Sequence, residues 1–476
     1  MTDELQADVC IIGAGSAGLS IAAGASQMGA KVVLIEAAKM GGDCLNTGCV
    51  PSKSLLAAAK VAKVARASGK FGVMLGEPSV DFKAVHDHVH RVIAGIAPHD
   101  SVERFEGLGC TVISSRAKFT GPDVVEAGGK VIRARRFIIA TGSRAAVPPI
   151  PGLNDVAFFT NESIFENTVL PAHLIVIGAG PIGCEMAQAH RRLGSRVTIL
   201  DLARMMPKDD QEAVEVVRKR FAAEGIWSRE NIKIVRIEKH AEGVAVVYTD
   251  ASGGEQVLPG SHLLIAAGRR PNVEDLGLEA AGIAYSPKGI KVDARLRTNN
   301  RRVYAAGDVA GGYQFTHLAG YHAGIIIRNV LFRIPAKAEP AAMPWVTYSD
   351  PELAQVGLIE ADARKAHGEG ITVVRAEFAG NDRAQAEAET DGFCKVVVGK
   401  GGRILGATIV GAHAGELILP WVLAISQGLK IGAMASVIAP YPTLSEISKR
   451  AAGSYYTPSL FSARTKSVVR FLRMLG

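Results

Sequence analysis

No apolar stretch in this sequence reaches the roughly 18 residues that a membrane-spanning helix requires, which argues against an integral helical membrane protein. The opening residues, Met-Thr-Asp-Glu-Leu-Gln-Ala-Asp, are acidic and lead straight into a strand, without the basic and apolar regions of a signal peptide. Cysteine is scarce: six in 476 residues do not make the disulfide framework of a secreted protein, and together with the missing signal they point to a reducing cytoplasm. A disulfide in that setting is expected to be catalytic. Metal-ligand spacing is also missing, because Cys44 and Cys49 stand too far apart for a zinc knuckle and no second Cys or His pair follows them, so no metal site is read. The net charge of +8 is not accompanied by an RNA-binding signature, and nucleic acid is not expected as a partner.

What is present is glycine and apolar sequence in a periodic arrangement. With 52 glycines and 48% hydrophobic residues, 476 residues exceed what one core supports and suit several α/β domains. Asp8 to Ile12 reads as a buried parallel strand, Gly13-Ala-Gly-Ser-Ala-Gly18 as a tight turn, Leu19 to Met28 as a helix, and Lys31 to Ile35 as a second strand ending at Glu36. Gly13 permits the turn, Gly15 lets backbone approach a pyrophosphate, and Gly18 lets the helix pack on the strand. The phosphates meet a helix N-terminus. Glu36, 18 residues past Gly18, suits a carboxylate accepting from a ribose diol.

The pattern returns at His173 to Ile177, Gly178-Ala-Gly-Pro-Ile-Gly183, and the strand Arg196 to Leu200 ending at Asp201, again 18 residues past the third glycine. This internal repeat, through Gly178, Gly180 and Gly183, predicts two dinucleotide sites. Asp201 welcomes two ribose hydroxyls and repels a 2′-phosphate, so NADH is preferred over NADPH at the second site, although Arg204 and Lys208 lie close enough in sequence to reach a phosphate.

Between the repeats lies Gly-Gly-Asp-Cys-Leu-Asn-Thr-Gly-Cys-Val-Pro-Ser-Lys, Gly41 to Lys53. A dithiol placed directly after the first dinucleotide unit reads as a redox-active pair. Cys49 is expected near the N-terminus of a helix beginning around Val50, where the dipole lowers a thiol pKa, with Lys53 one turn further along.

This segment resembles the active-site signature of the flavin-dependent pyridine nucleotide-disulfide oxidoreductases, which include dihydrolipoamide dehydrogenase and mercuric reductase, and the resemblance runs through nearly the whole chain. It implies FAD at the first site. Cys49 then faces the flavin, Cys44 faces the substrate, and Lys53 pairs with Glu185 near the flavin. The closing turns Arg136 to Gly142, with Thr141 and Gly142, and Leu263 to Asn272, with Gly268, resemble the family's crossings between domains, and Val303 to Val309 its returning FAD segment, with Asp308 on the ribityl chain.

The implied fold is α/β: two Rossmann-like dinucleotide-binding domains, the NAD domain inserted in the FAD domain, and a C-terminal α+β dimerisation domain. The bounds expected are 1–150 and 271–345 for FAD, 151–270 for NAD(P)H, and 346–476 for dimerisation, with a homodimer as the assembly. Cys184 is expected as a small buried hydrophobe.

The family's His-Pro-Thr-x-x-Glu motif aligns with Tyr441 to Glu446, where Tyr441 stands in the histidine's place and Glu446 in that of its carboxylate partner. A phenol of pKa near 10 is a poorer acid/base at neutral pH than an imidazole near 6.5. The resemblance to mercuric reductase also departs from that pattern, since no vicinal cysteine pair stands at the C-terminal end and no metal-binding module precedes the first strand. Dihydrolipoamide dehydrogenase-like chemistry is the first reading, with a small molecule or small protein as oxidant. Mercuric reductase-like reduction of a metal ion or other small oxidant is the alternative. A non-catalytic flavin- and NAD-sensing protein that binds a membrane or protein partner is the alternative of another class. After Glu446 come Lys449, Arg450, Arg464, Lys466, Arg470 and Arg473 and no acidic residue; this tail is read as a solvated helix capping the dimerisation domain, with peripheral contact to an anionic membrane as its alternative.

Overall fold

A computed structural model describes residues 3–250 and 253–475. Met1 and Thr2, which open the acidic start, lie outside the described residues. The chain is mixed α/β and forms two compact units, one of residues 1–178, 189–202 and 231–339 and one of residues 179–188, 203–230 and 340–476.

In the first unit, β1 (Asp3–Ile12) is central to a sheet with β2 (Val32–Glu36) and β3 (Cys110–Ser114) on one side and β6 (Lys130–Ile139), β5 (Val124–Ala127) and β4 (Ala117–Gly121) on the other. β1 runs parallel to both β2 and β6, whereas β5 is antiparallel to its neighbours. Alternate residues of β1 enter different cores: Cys10 and Ile12 pack with Phe119, Phe137 and Val303, while Val9 and Ile11 pack with Leu34, Ile21 and Ile326. Both faces are covered, which explains why the strand reads as a continuous apolar run. Each such side chain contributes about 1.5–3 kcal/mol by burial. The strand Val303–Ala305 returns to this sheet, parallel to β6.

The helices α1 (Ser16–Gln27), α2 (Gly42–Asn46), α3 (Cys49–Ala67), α4 (Phe82–Ile96) and α5 (Val102–Gly107) fall between β1 and β3, α1 between β1 and β2 and the other four after β2. The repeat follows with β7 (Ser143–Ala145), β8 (His173–Ile177), α6 (Pro181–Leu193) and β9 (Arg196–Leu200). β8 is parallel to β9 and to the strand His262–Ile265. β7 pairs antiparallel with Arg269–Pro271, which brings the two closing turns side by side.

The second unit contains an antiparallel five-stranded sheet in the order Pro344–Thr347, Glu352–Gly357, Ile404–Gly411, Phe393–Val398, Thr372–Glu377. Its core gathers Trp421, Phe378, Ile409 and Ile447. The Trp421 indole donates to Ser448 Oγ at 3.0 Å, so the polar atom of a fully buried ring is satisfied.

Candidate active site

The two glycine turns are built alike. Gly13 N donates to Ile35 O at 2.8 Å and Gly178 N to Leu200 O at 2.9 Å; Ala140 N donates to Ile12 O and Ala266 N to Ile177 O, both at 2.7 Å. Gly13 (φ +105°) and Gly178 (φ +114°) lie against the next strand's end, where a Cβ would meet Ala140 O at 2.4 Å and Ala266 O at 2.3 Å. A Cβ on Gly18 would lie 1.8 Å from Gly13 O, whereas one on Gly15 would meet only Gly42 Cα, at 3.9 Å, and one on Gly180 nothing within 4 Å. The middle glycine of each turn therefore leaves space beside the backbone, which is what a pyrophosphate needs. Gly183 is buried in the first turn of α6.

α1 begins after Gly15 with no side chain capping its first N–H groups, leaving them directed at that space. Glu36 accepts from Ala14 N at 2.6 Å through one oxygen and from Ala38 N at 2.8 Å through the other. Each oxygen keeps a lone pair for a ribose hydroxyl. Uncapped N–H groups, open space at Gly15 and a carboxylate at the strand end together fit a dinucleotide such as FAD. Asp201 follows β9 in the corresponding place, and Arg204 and Lys208 are exposed.

The thiol segment is fastened to the first turn by backbone. Gly41 N donates to Ala14 O at 3.0 Å, and a Cβ on Gly42 (φ +58°) would come within 2.8 Å of Gly15 Cα. Two glycines in succession let the segment approach so closely. α2 then carries Asp43 and Cys44, and Cys49 is the first residue of α3. Gly48 is required by Asp43, whose carboxylate would lie 2.7 Å from a Cβ there.

Cys44 and Cys49 are both thiols, the first half-buried and the second exposed. The Cys44 thiol hydrogen-bonds Cys49 and lowers its pKa to about 6, with help from the Thr316 hydroxyl, 3.3 Å from Cys49 Sγ, and the positive charge of Lys53; nearby protein and Asp43 act in the opposite direction. The same bond, followed by burial, pushes Cys44 up. The proton therefore resides on Cys44 and the negative charge on Cys49. Lys53 is half-buried in the second turn of α3.

A polar chain lies beside the pair. Asp43 accepts from Thr47 Oγ1 at 2.8 Å and Asn161 Nδ2 at 3.2 Å and pairs with Arg269 at 3.3 Å. Arg269 Nε donates to Ser143 Oγ at 2.8 Å, and that hydroxyl donates to Asp308 Oδ2 at 2.5 Å. Burial raises the pKa of Asp308, opposed by Ser143 and Arg269. Thr141 Oγ1 donates to Asn272 O at 2.8 Å and Gly142 O accepts from Asn272 N at 2.9 Å, while Gly268 (φ +114°) is open. Thr316, Asp43, Ser143 and Arg269 were missed in the sequence. Arg269 sits in a closing turn that the sequence does mark, but Thr316 opens the helix Thr316–Val330, far along the chain and without a motif.

Three further candidates belong to the second unit. Glu185 is buried and accepts from Tyr348 N at 3.0 Å. Cys184 beside it is fully buried, its thiol on Ala179 O at 3.4 Å, as a small apolar side chain would be. Tyr441 is 69% exposed and donates to Asp382 Oδ2 at 3.0 Å rather than to Glu446, and this bond raises the phenol's pKa. Glu446 Oε2 is buried without a hydrogen-bond partner among the described residues.

A family model described as pyridine nucleotide-disulphide oxidoreductase matches residues 7–323, and the dimerisation domain of the same family matches residues 343–452. The chain is 36% identical to a dihydrolipoyl dehydrogenase of Thermus scotoductus, over 92% of this chain and 95% of that protein. It is 34% identical to a mercuric reductase of Staphylococcus aureus, over 94% of this chain and 82% of that one. Among solved structures, a Cu(II) complex of the HOCl-induced flavoprotein disulfide reductase RclA from Escherichia coli superposes with a TM-score of 0.85 at 27% identity, covering 94% of this chain and 99% of that one.

Proposed function

The chain belongs to the pyridine nucleotide-disulphide oxidoreductase family and is a flavin-dependent NAD(P)H oxidoreductase acting on a disulfide or small oxidant, and from that premise we propose that Cys44 and Cys49 are its redox pair and NADH its preferred donor. FAD, when bound, supplies the two-electron relay between nicotinamide and sulfur. The observation that carries the assignment is Cys49, placed at the start of α3 on a segment whose glycines abut the Gly13–Gly18 turn. There the helix N-terminus, Lys53 and the Cys44 thiol hold a thiolate, while Cys44 keeps the proton until a substrate takes it.

Glu36 and Asp308 are proposed to hold the ribose and ribityl hydroxyls of FAD, with Thr141 and Gly142 shaping the wall beside them. Gly178, Gly180, Gly183, Asp201 and Gly268 are proposed for NADH. Lys53 and Glu185 are assigned by the family resemblance as charged residues serving the flavin. The FAD domain is proposed to comprise residues 1–150 and 271–345, a reading supported by the return of Val303–Ala305 to β6. Residues 151–270 are then the NAD domain, and 346–476 make a homodimer. A reducing, cytoplasmic setting is supported by the buried thiols Cys10, Cys110, Cys184 and Cys394; no helix among the described residues is long and apolar enough to cross a membrane.

Dihydrolipoamide dehydrogenase-like chemistry is the first substrate reading. Reduction of a metal ion or other small oxidant is the second, favoured by one observation: the Tyr441 phenol, bound to Asp382, is raised above its ordinary pKa and is a poor proton shuttle for a dithiol. NADH oxidation by the purified flavoprotein with lipoamide, glutathione disulfide, mercuric ion or quinone as acceptor tests both. One acceptor should support sustained turnover that Cys44→Ser and Cys49→Ser abolish; turnover unchanged in both variants would remove the thiols from the reaction. NADH should give the higher kcat/KM, and Asp201→Ser should narrow the gap. A preference of the wild type for NADPH would overturn the role of Asp201.

A further inference from the structure

We propose that His86, His90 and Glu166 form a binding site for a divalent transition-metal ion, separate from the thiol pair. Among the described residues, these three offer one ligand atom each within 4.8 Å of one another. His86 and His90 stand one turn apart on α4, so both imidazoles project from the same face, with ring centroids 4.2 Å apart. Glu166 comes from the short 3-10 turn Ile164–Glu166, and its Oε2 lies 3.7 Å from His90 Nε2. Donors on a tetrahedral ion with bonds of roughly 2.1 Å stand about 3.4 Å apart. Small side-chain adjustments are enough to close the set.

Both supports are fixed. α4 is capped by Asp81, which accepts from Ala84 N at 3.0 Å, and it buries Phe82 and Val89. The turn buries Ile164 and Phe165. Asp87 lies 2.9 Å from His86 Nδ1 and takes that ring's N–H, which leaves Nε2 as the ligand nitrogen. His90 Nε2 is 3.1 Å from Phe165 O, to which it donates when no metal is bound; loading moves that proton to Nδ1 and leaves the ring neutral. Two imidazoles and a carboxylate, without thiolate, select Zn(II), Cu(II) or Ni(II) over Cu(I), Ca(II) and Mg(II). The exposed side of Glu166 leaves a fourth position for water. An ion held there clamps α4 to the 164–166 turn. The expectation that no His pair follows the two cysteines passed over His86-Asp-His-Val-His90, two histidines one turn apart, and the third ligand lies far along the chain.

The test uses Cu(II) on FAD-loaded enzyme carrying Cys44→Ser and Cys49→Ser, which removes the competing thiolates. We expect one Cu(II) per chain with an electron paramagnetic resonance spectrum showing two coordinated imidazole nitrogens, and a rise in Tm. His90→Ala should abolish the two-nitrogen spectrum, Asp87→Asn should weaken binding about 10–100-fold, and His88→Ala, a control on the same helix, should change neither. Because a variant could lose binding through misfolding, Zn(II) protection of His86 and His90 from diethylpyrocarbonate is measured in unmodified holoenzyme as a second readout. No stoichiometric Cu(II), a two-nitrogen signal that survives His90→Ala, or absence of protection by Zn(II) overturns the site.

Discussion

A single proton decides the chemistry of the thiol pair. With the Cys49 pKa lowered to about 6 by the Cys44 thiol, Thr316 and Lys53, the folded dithiol enzyme carries its thiolate above that pH and loses it as pH falls through about 6. An unperturbed thiol would lose it near 8.5. The long-wavelength absorption that the family resemblance assigns to a thiolate beside flavin should therefore keep its intensity down to about pH 6 in reduced enzyme and fade below. A midpoint near 8.5 would mean that the three neighbours do not act as described. At the other end of the chain, Tyr441→His should restore an imidazole where Glu446 keeps a buried oxygen without a partner among the described residues. General acid/base groups contribute about 10²- to 10⁴-fold, so disulfide turnover should rise while the rate of flavin reduction by NADH stays the same. Stopped-flow and steady-state rates on both proteins check this, and a wild type that already reduces lipoamide as fast as its flavin is reduced would contradict it. The substitution itself was legible in the sequence, but its partner was not: Asp382 precedes Tyr441 by 59 residues, and no motif joins them.

At the scale of elements, the glycines carry the design. Their periodic spacing announced both turns, and the structure gives Gly13, Gly18 and Gly178 a steric reason and leaves open space at Gly15 and Gly180. The fastening of the thiol segment was not legible, because Gly41 and Gly42 meet the first turn only after the chain has run through α1 and β2. Gly42→Ala puts a Cβ 2.8 Å from Gly15 Cα on a backbone with φ +58°. A left-handed strain of about 1–3 kcal/mol and displacement of α2 should lower Tm and the fraction of chains retaining flavin. Gly29→Ala, also at positive φ (+82°) but with nothing within 4 Å, is the control that keeps the flavin. Equal flavin retention in the two variants would show that the close approach is unimportant. The C-terminal helix Ala463–Leu472 has no buried residue, with Val468, Val469, Phe471 and Leu472 about half exposed beside its basic positions. Its apolar side stays open in the single chain.

Across the whole molecule, what was legible is what repeats or is contiguous: two dinucleotide turns, the thiol segment, and the α/β class with its C-terminal dimerisation domain, which the family comparison bears out. What was hidden is what tertiary contact assembles, such as the Asp43–Arg269–Ser143–Asp308 chain drawn from separate segments. This fold is proposed to deliver two electrons to Cys44 and Cys49 and to leave the charge on Cys49. Anaerobic titration of holoenzyme with NADH, followed by visible absorption, tests it most directly. Uptake of two electrons per chain with a long-wavelength band is expected in the wild type, no band in Cys49→Ser, and a band without any reductant in Cys44→Ser. Wild-type spectra from both variants would contradict it.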